Sequence, residues 1–173
     1  MKAVISPNPY RDKNLRYALE AKTILEKAGI ETAICLAFEV DKDFALPKHV
    51  ELKDMERELQ DSDVLICFGG DGTLLHASKA ATYRNVPVLG VNIGTMGFMA
   101  ELETTEIGML AELAKQDYSV EERMMLAVSV IRDGEEVLRD NALNDAVVTK
   151  GAVAREIQLN IYCDRVICQS VFL

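Results

Sequence analysis

The run Val64-Leu65-Ile66-Cys67-Phe68 is apolar at every position and ends in Gly69-Gly70-Asp71-Gly72-Thr73. A strand with one wet face alternates polar and apolar side chains, whereas one covered on both faces, as in a parallel sheet, does not. Pro87-Val88-Leu89-Gly90-Val91 repeats the arrangement and runs into Asn92-Ile93-Gly94-Thr95-Met96-Gly97-Phe98. Between the two, Thr73 to Ala81 reads as an alanine-rich helix. Buried strands joined through a helix require an α/β layer architecture. Ligands of such sheets bind beyond the carboxyl ends of the strands, where both glycine loops fall.

The chain ahead of this unit fits the same class. Lys2 to Ile5 reads as a buried strand closed by Pro7-Asn8-Pro9. Leu15, Ala18, Leu19, Lys22 and Leu25 follow at helical spacing and stop at Gly29, a C′ glycine. Thr32 to Leu36 is a second strand, and Asp41 to Lys53 is polar and loop-like. After the second glycine loop, Thr104 or Thr105 caps a helix with Ile107, Leu110 and Leu113 on one face. Past Gln116 the character changes. Leu126 to Arg132 and Glu136 to Arg139 flank Asp133-Gly134, a tight hairpin signal. Ala146 to Thr149, Gln158 to Cys163 and Arg165 to Cys168 continue in the same β-rich style, the last pair joined by a turn at Asp164. The expected organisation is a Rossmann-like α/β domain with a parallel sheet over 1–116 and the beginning of an antiparallel, all-β domain over 117–173.

A net charge of −9, without a Lys/Arg cluster, argues against a nucleic-acid partner, because phosphate-backbone binding needs a basic surface. No apolar run reaches the roughly 20 residues of a membrane span. The N-terminus lacks a signal-peptide pattern and reads as a first strand. Cys35, Cys67, Cys163 and Cys168 sit in or beside apolar runs without metal-ligand spacing, so all four are expected to be buried thiols in a reducing cytoplasm.

Glycine accepts positive φ and has no Cβ to hold a ligand away, so three glycines around one carboxylate suit close approach of a phosphate. The spacing Gly69, Gly70, Gly72 does not fit G-x-G-x-x-G, and no Walker-type lysine follows. On spacing alone two readings stand, a phosphate cradle and a plain structural turn.

Gly69-Gly70-Asp71-Gly72-Thr73, then Asn92-x-Gly94-x-x-Gly97-Phe98 about twenty residues later, then Asn144-Asp145 in the β region, together resemble the NAD kinase family. The first motif alone is shared with diacylglycerol and sphingosine kinases; the second separates NAD kinases from them. The resemblance implies transfer of a phosphoryl group from ATP, with a divalent metal (Mg²⁺), to the 2′-hydroxyl of the adenosine ribose of NAD. It implies further that Asp71 is the catalytic aspartate. A carboxylate is a weak base for an alcohol. In a loose phosphoryl-transfer transition state, however, the nucleophile needs orienting more than early deprotonation. The alternative for Asp71 is an Asx-type residue capping the Thr73 helix.

The resemblance implies that the glycine loop with Gly70 neutralises the transferred phosphate and that Gly72 lets the dinucleotide approach the loop backbone. It implies that Asn92 ties the two loops together, that Phe98 offers a face for the adenine, and that Asn144 and Asp145 contact NAD. It aligns His76 and Arg155 with nucleotide-contacting positions. The alternatives are a satisfied surface or core histidine, a core aromatic and a solvated strand arginine. Asp145 replaces a usual Glu, one methylene longer, which shortens its reach toward ribose hydroxyls. Arg123-Met124-Met125-Leu126 resembles the family's entry into its β domain.

The C-terminus departs from the pattern. Where the family continues with Gly-Asp-Gly and Thr-Gly-Ser-Thr-Ala-Tyr, this sequence has Ser170-Val171-Phe172-Leu173. A truncated, non-catalytic nucleotide-binding module is therefore one alternative to a kinase; a lipid kinase sharing the first loop is the other. Strand edges left open, together with the family pattern, imply a homo-oligomer, a dimer or tetramer.

Overall fold

The computed structural model describes residues 1–41, 47–94, 99–149, 151 and 156–172. The chain divides into two compact units, Met1–Met124 and Met125–Leu173. The first is built on β1 (Lys2–Pro7), α1 (Arg16–Lys27), β2 (Glu31–Cys35), β3 (Leu52–Lys53), α2 (Met55–Glu58), β4 (Val64–Gly69), α3 (Asp71–Arg84), β5 (Val88–Asn92), β6 (Leu102–Glu103) and a 3₁₀ helix, Thr104–Lys115. Its six strands lie in the order β3-β2-β1-β4-β5-β6 and every neighbouring pair is parallel. This is the doubly wound order, in which the direction of strand addition reverses between β1 and β4.

Strand β4 shows why its run lacks alternation. Val64, Ile66 and Phe68 point into one core with Ala18, Ala21 and Leu25 of α1 and Ile107, Leu110 and Leu113 of the 3₁₀ helix. Leu65 and Cys67 point into the other, against Met55, Leu74, Ala77 and Ala81 of α2 and α3. Each face buries full side chains, and at about 25 cal/mol per Å² of apolar surface this supplies the main stabilisation of the unit.

Several expectations are corrected. The helix expected from Thr73 starts at Asp71, so Asp71 and Gly72 form its first turn, with Gly70 as N-cap. The last helical segment is 3₁₀ and capped by Glu103, whose amide donates to the Glu106 carboxylate (2.9 Å), rather than by Thr104 or Thr105. The polar stretch before α2 ends in β3, which adds two residues to the edge beside β2. Residues 42–46 of that stretch lie outside the described residues.

The second unit holds two antiparallel hairpins, β7 (Leu126–Arg132) with β8 (Glu135–Ala142), and β9 (Gln158–Cys163) with β10 (Val166–Phe172). Asp133 and Gly134 both have positive φ (53° and 86°), as do Asp164 and Arg165 (49° and 70°). Positive φ at both central residues matches the right-handed strand twist, so each two-residue turn closes its hairpin. Arg165 therefore belongs to the turn and not to the strand. Ala146 to Thr149 forms no strand; it is exposed chain without a ladder partner.

The cysteines split between the units. Cys35 and Cys67 are buried, whereas Cys163 and Cys168 are exposed, against the expectation that all four are buried. Apolar neighbours along a hairpin do not bury a thiol when, among the described residues, no second layer covers its face. Burial, helped by the nearby Glu58 and Asp54 carboxylates, pushes the Cys35 thiol up to about 12. Burial also raises Cys67 far above the ordinary thiol range. A thiol-disulfide reagent at neutral pH should titrate Cys163 and Cys168 quickly and the other two only on unfolding. Four fast thiols would contradict this burial.

Candidate active site

β1, β4 and β5 end side by side, so the segments that leave them converge at one edge. Gly69 closes β4 because Thr73, two residues into the first turn of α3, folds back over it. A Cβ on Gly69 would stand 2.3 Å from Thr73 Oγ1 and 2.6 Å from Thr73 Cβ. That hydroxyl in turn accepts from Asn8 Nδ2 (2.9 Å), tying the segment after β1 to α3. Gly90, in β5, is also required by packing, since a Cβ there would meet Ala100 Cα at 2.9 Å and Leu74 Cδ2 at 2.7 Å.

Gly70 and Gly72 differ. Gly70 has φ −112° and ψ −172°, extended backbone open to any residue, and the atom closest to its would-be Cβ is Arg11 Nη1 at 3.9 Å. Gly72 is helical, and nothing among the described residues lies within 4 Å of its would-be Cβ. Glycine in a helix costs about 0.5–1 kcal/mol relative to alanine. Among the described residues, nothing in the chain's own packing requires glycine at either position.

Asp71 stands between them, half-buried at the positive end of α3. Its Oδ1 accepts the amide of Met99 (3.2 Å), so the segment after the second glycine loop fixes the carboxylate. That bond joins two segments 28 residues apart and is not the local cap of an Asx turn. The Met99 segment is itself held to β5: Gly90 N–H donates to Glu101 Oε2 (2.7 Å), and Glu101 N–H to Gly90 O (3.1 Å).

Asn92 is the last residue of β5 and only 2% exposed. Its Nδ2 donates to both carboxylate oxygens of Glu103 (3.1 and 3.2 Å), joining β5 to β6, and among the described residues its Oδ1 has no hydrogen-bond partner. His76 is exposed on α3, its ring tilted against Phe38 at 6.0 Å between centroids. Asn144 and Asp145 belong to the second unit, exposed just past β8, with Asn144 Nδ2 donating to Asp145 Oδ2 (3.0 Å). Phe98 and Arg155 lie outside the described residues. The fold thus gathers Gly70, Asp71, Gly72 and Asn92 at one edge of the first unit.

Sequence reasoning missed two residues at this edge, Asn8 and Arg11. Asn8 reads as a mere turn residue between two prolines. Its position after β1, where a parallel sheet reverses its order, is the signal that points to it.

Among the described residues no three His, Cys, Asp or Glu side chains gather as a metal-ligand group. A magnesium ion is typically held by one or two carboxylates together with substrate phosphates, which the single carboxylate Asp71 at this loop fits. No helix among the described residues is long and apolar enough to cross a membrane.

Residues 4–118 match the family model of the ATP-NAD kinase N-terminal domain. The NAD kinase of Acetivibrio thermocellus is 34% identical over 169 residues, which cover 94% of this chain and 55% of that protein. The NAD kinase of Geotalea daltonii is 44% identical over 106 residues, 61% of this chain and 37% of that one. Among solved structures, yeast NADH kinase complexed with NADH superposes with a TM-score of 0.75 at 21% identity, over 98% of this chain and 54% of the yeast chain; this likeness concerns the fold. The chain thus spans about half the length, or less, of the relatives it matches.

Proposed function

Because the chain belongs to the ATP-NAD kinase family, with residues 4–118 matching its N-terminal domain, we propose that it carries the phosphoryl-transfer loop of an enzyme making NADP from ATP and NAD. Asp71 orients the 2′-hydroxyl of the adenosine ribose and accepts its proton as the phosphoryl group arrives. Gly70 and Gly72 let the donor phosphates approach the backbone at the start of α3. Mg²⁺, when bound with the donor, neutralises charge on the phosphates. Asn92 braces the loop. Asn144 and Asp145 take ribose hydroxyls, a carboxylate being a good acceptor for two O–H donors. His76, Phe98 and Arg155 add nucleotide contacts. In this reading residues 1–116 are the catalytic half and 117–173 part of the NAD-binding half.

The observation that carries the proposal is the pair Gly70 and Gly72, glycines that nothing in the described structure requires, on either side of a carboxylate held in place from a distant segment. Two further aspects belong to the same reading. The free thiols suit a reducing cytoplasm. Exposed apolar residues along β7 to β10, among them Ile131, Leu138, Ile167 and Phe172, support pairing with another copy as a dimer or tetramer. The net charge of −9 supports small-molecule rather than nucleic-acid partners.

The test is to incubate the protein with ATP, Mg²⁺ and NAD and to detect NADP with an NADP-specific dehydrogenase. NADP is the expected product. A folded protein that binds both nucleotides yet yields no NADP would contradict the catalytic reading in favour of a binding module.

A further inference from the structure

Arg11 stands where the order of the sheet reverses, in the segment after β1 and beside the glycine loop that follows β4. That segment is fixed from several directions. Asn8 N–H donates to Phe68 O (2.8 Å), and Asn8 O accepts the amides of Arg11 (3.0 Å) and Asp12 (2.8 Å). Asn8 Nδ2 reaches Thr73 on α3. Directly after Arg11, the fully buried Asp12 carboxylate accepts the amides of Tyr17 and Ala18, both at 3.0 Å, and anchors the segment to α1. Burial raises the Asp12 carboxyl above its ordinary range despite these bonds.

On this anchored backbone the exposed Arg11 side chain spans both glycine segments. Its Nη1 lies 3.9 Å from the Cβ position of Gly70 and 3.1 Å from that of Gly94, whose φ of +115° is itself a glycine conformation. Among the described residues its one hydrogen bond is from Nη1 to Ile93 O, at 3.3 Å, and no carboxylate pairs with it. A guanidinium has five N–H donors in a planar fork suited to phosphate oxygens, and a single long bond to a neutral carbonyl engages little of that capacity. The chain carries 28 acidic and 19 basic residues, and Asp71 stands at the same edge. A polyphosphate approaching that edge is repelled unless a cation balances it.

We propose that Arg11 binds the polyphosphate chain of the phosphoryl donor, exchanging its bond to Ile93 O for paired bonds to phosphate oxygens over Gly70 and Gly94. This rests on the reading of the Gly69–Thr73 loop as a phosphoryl-transfer site. A nucleoside triphosphate and an inorganic polyphosphate present the same chemistry to the guanidinium.

The experiment is calorimetric titration of the wild-type protein, Arg11→Ala and Arg11→Lys with ATP, with inorganic tripolyphosphate and with NAD. Arg11→Ala should bind ATP and tripolyphosphate about tenfold to a hundredfold more weakly, the range for losing a charge-assisted pair, with NAD affinity and Tm unchanged. Arg11→Lys should fall between, since a point charge keeps attraction but loses the fork. Equal wild-type affinity for both anions would assign recognition to the phosphates alone; tighter ATP binding would add the nucleoside. Wild-type protein that binds neither anion, or Arg11→Ala that binds both as the wild type does, overturns the proposal. Loss of anion binding in Arg11→Ala from a protein that makes no NADP would leave the Arg11 site standing and remove the NAD kinase reading.

Discussion

Asp71→Asn should lower the rate of NADP formation by about a hundredfold to ten-thousandfold, the usual range for removing a general base. Asparagine has the same shape and can still accept the Met99 amide through its Oδ1, so the first turn of α3 and the Met99 segment keep their geometry. What it cannot do is take the proton that the proposed reaction hands to Asp71. Tm and the affinity for NAD should therefore stay close to wild type while kcat falls, the signature of an interaction made only in the transition state. An asparagine variant with full turnover would remove Asp71 from the chemistry and leave it a structural link between α3 and Met99.

Gly90→Ala should destabilise the first unit. The new Cβ would stand 2.7 Å from the Leu74 Cδ2 methyl, which can rotate away, and 2.9 Å from Ala100 Cα, which is backbone and cannot. Overpacking of this kind costs about 1–3 kcal/mol. In a unit of this size that lowers Tm by about 3–10 °C, measurable by thermal unfolding. The consequence reaches the site, because relief comes from moving the Ala100 segment, and Met99 next to it holds Asp71. Activity per folded molecule should fall as well. An alanine variant with wild-type Tm would show that the segment after the second glycine loop yields easily and does not fix Asp71.

The parts of this fold that were legible in the sequence are those written in local chemistry. The unbroken apolar run of β4 announces burial on both faces, and the two cores that flank it explain why. Asp133-Gly134 announces a hairpin because few other residues take positive φ in succession. What failed was decided by partners distant in the chain. β3 and β6 are two-residue edge strands, too short for periodicity to register, and they exist only because β2 and β5 offer a free edge. Ala146 to Thr149 has strand-forming residues and no ladder to join. Cys163 and Cys168 looked buried from their neighbours in the chain, but burial is a property of layers.

The site divides in the same way. Asp71 and its glycines stand out through their companion motifs; their spacing alone leaves a plain structural turn open. Arg11 is one of 19 basic residues, and nothing beside it in the chain marks it. Only the parallel pairing of β1 with β4 carries it to the glycine loop. Likewise the bond from Met99 to Asp71 depends on β5 lying next to β4 and could not be read from either motif alone.

The central claim is that Gly70 and Gly72 answer to a phosphate ligand and not, as Gly69 does, to the packing of the chain. Gly72→Ala tests it most directly, because the two explanations predict different results for one substitution. Nothing among the described residues lies within 4 Å of the added Cβ, and alanine is the better helix former. Tm should therefore hold or rise by about 1–3 °C, as a gain of up to about 1 kcal/mol implies. ATP affinity should fall by about tenfold or more, because the methyl group occupies the space the phosphates need. A Gly72→Ala protein with raised Tm and wild-type ATP binding would contradict the claim.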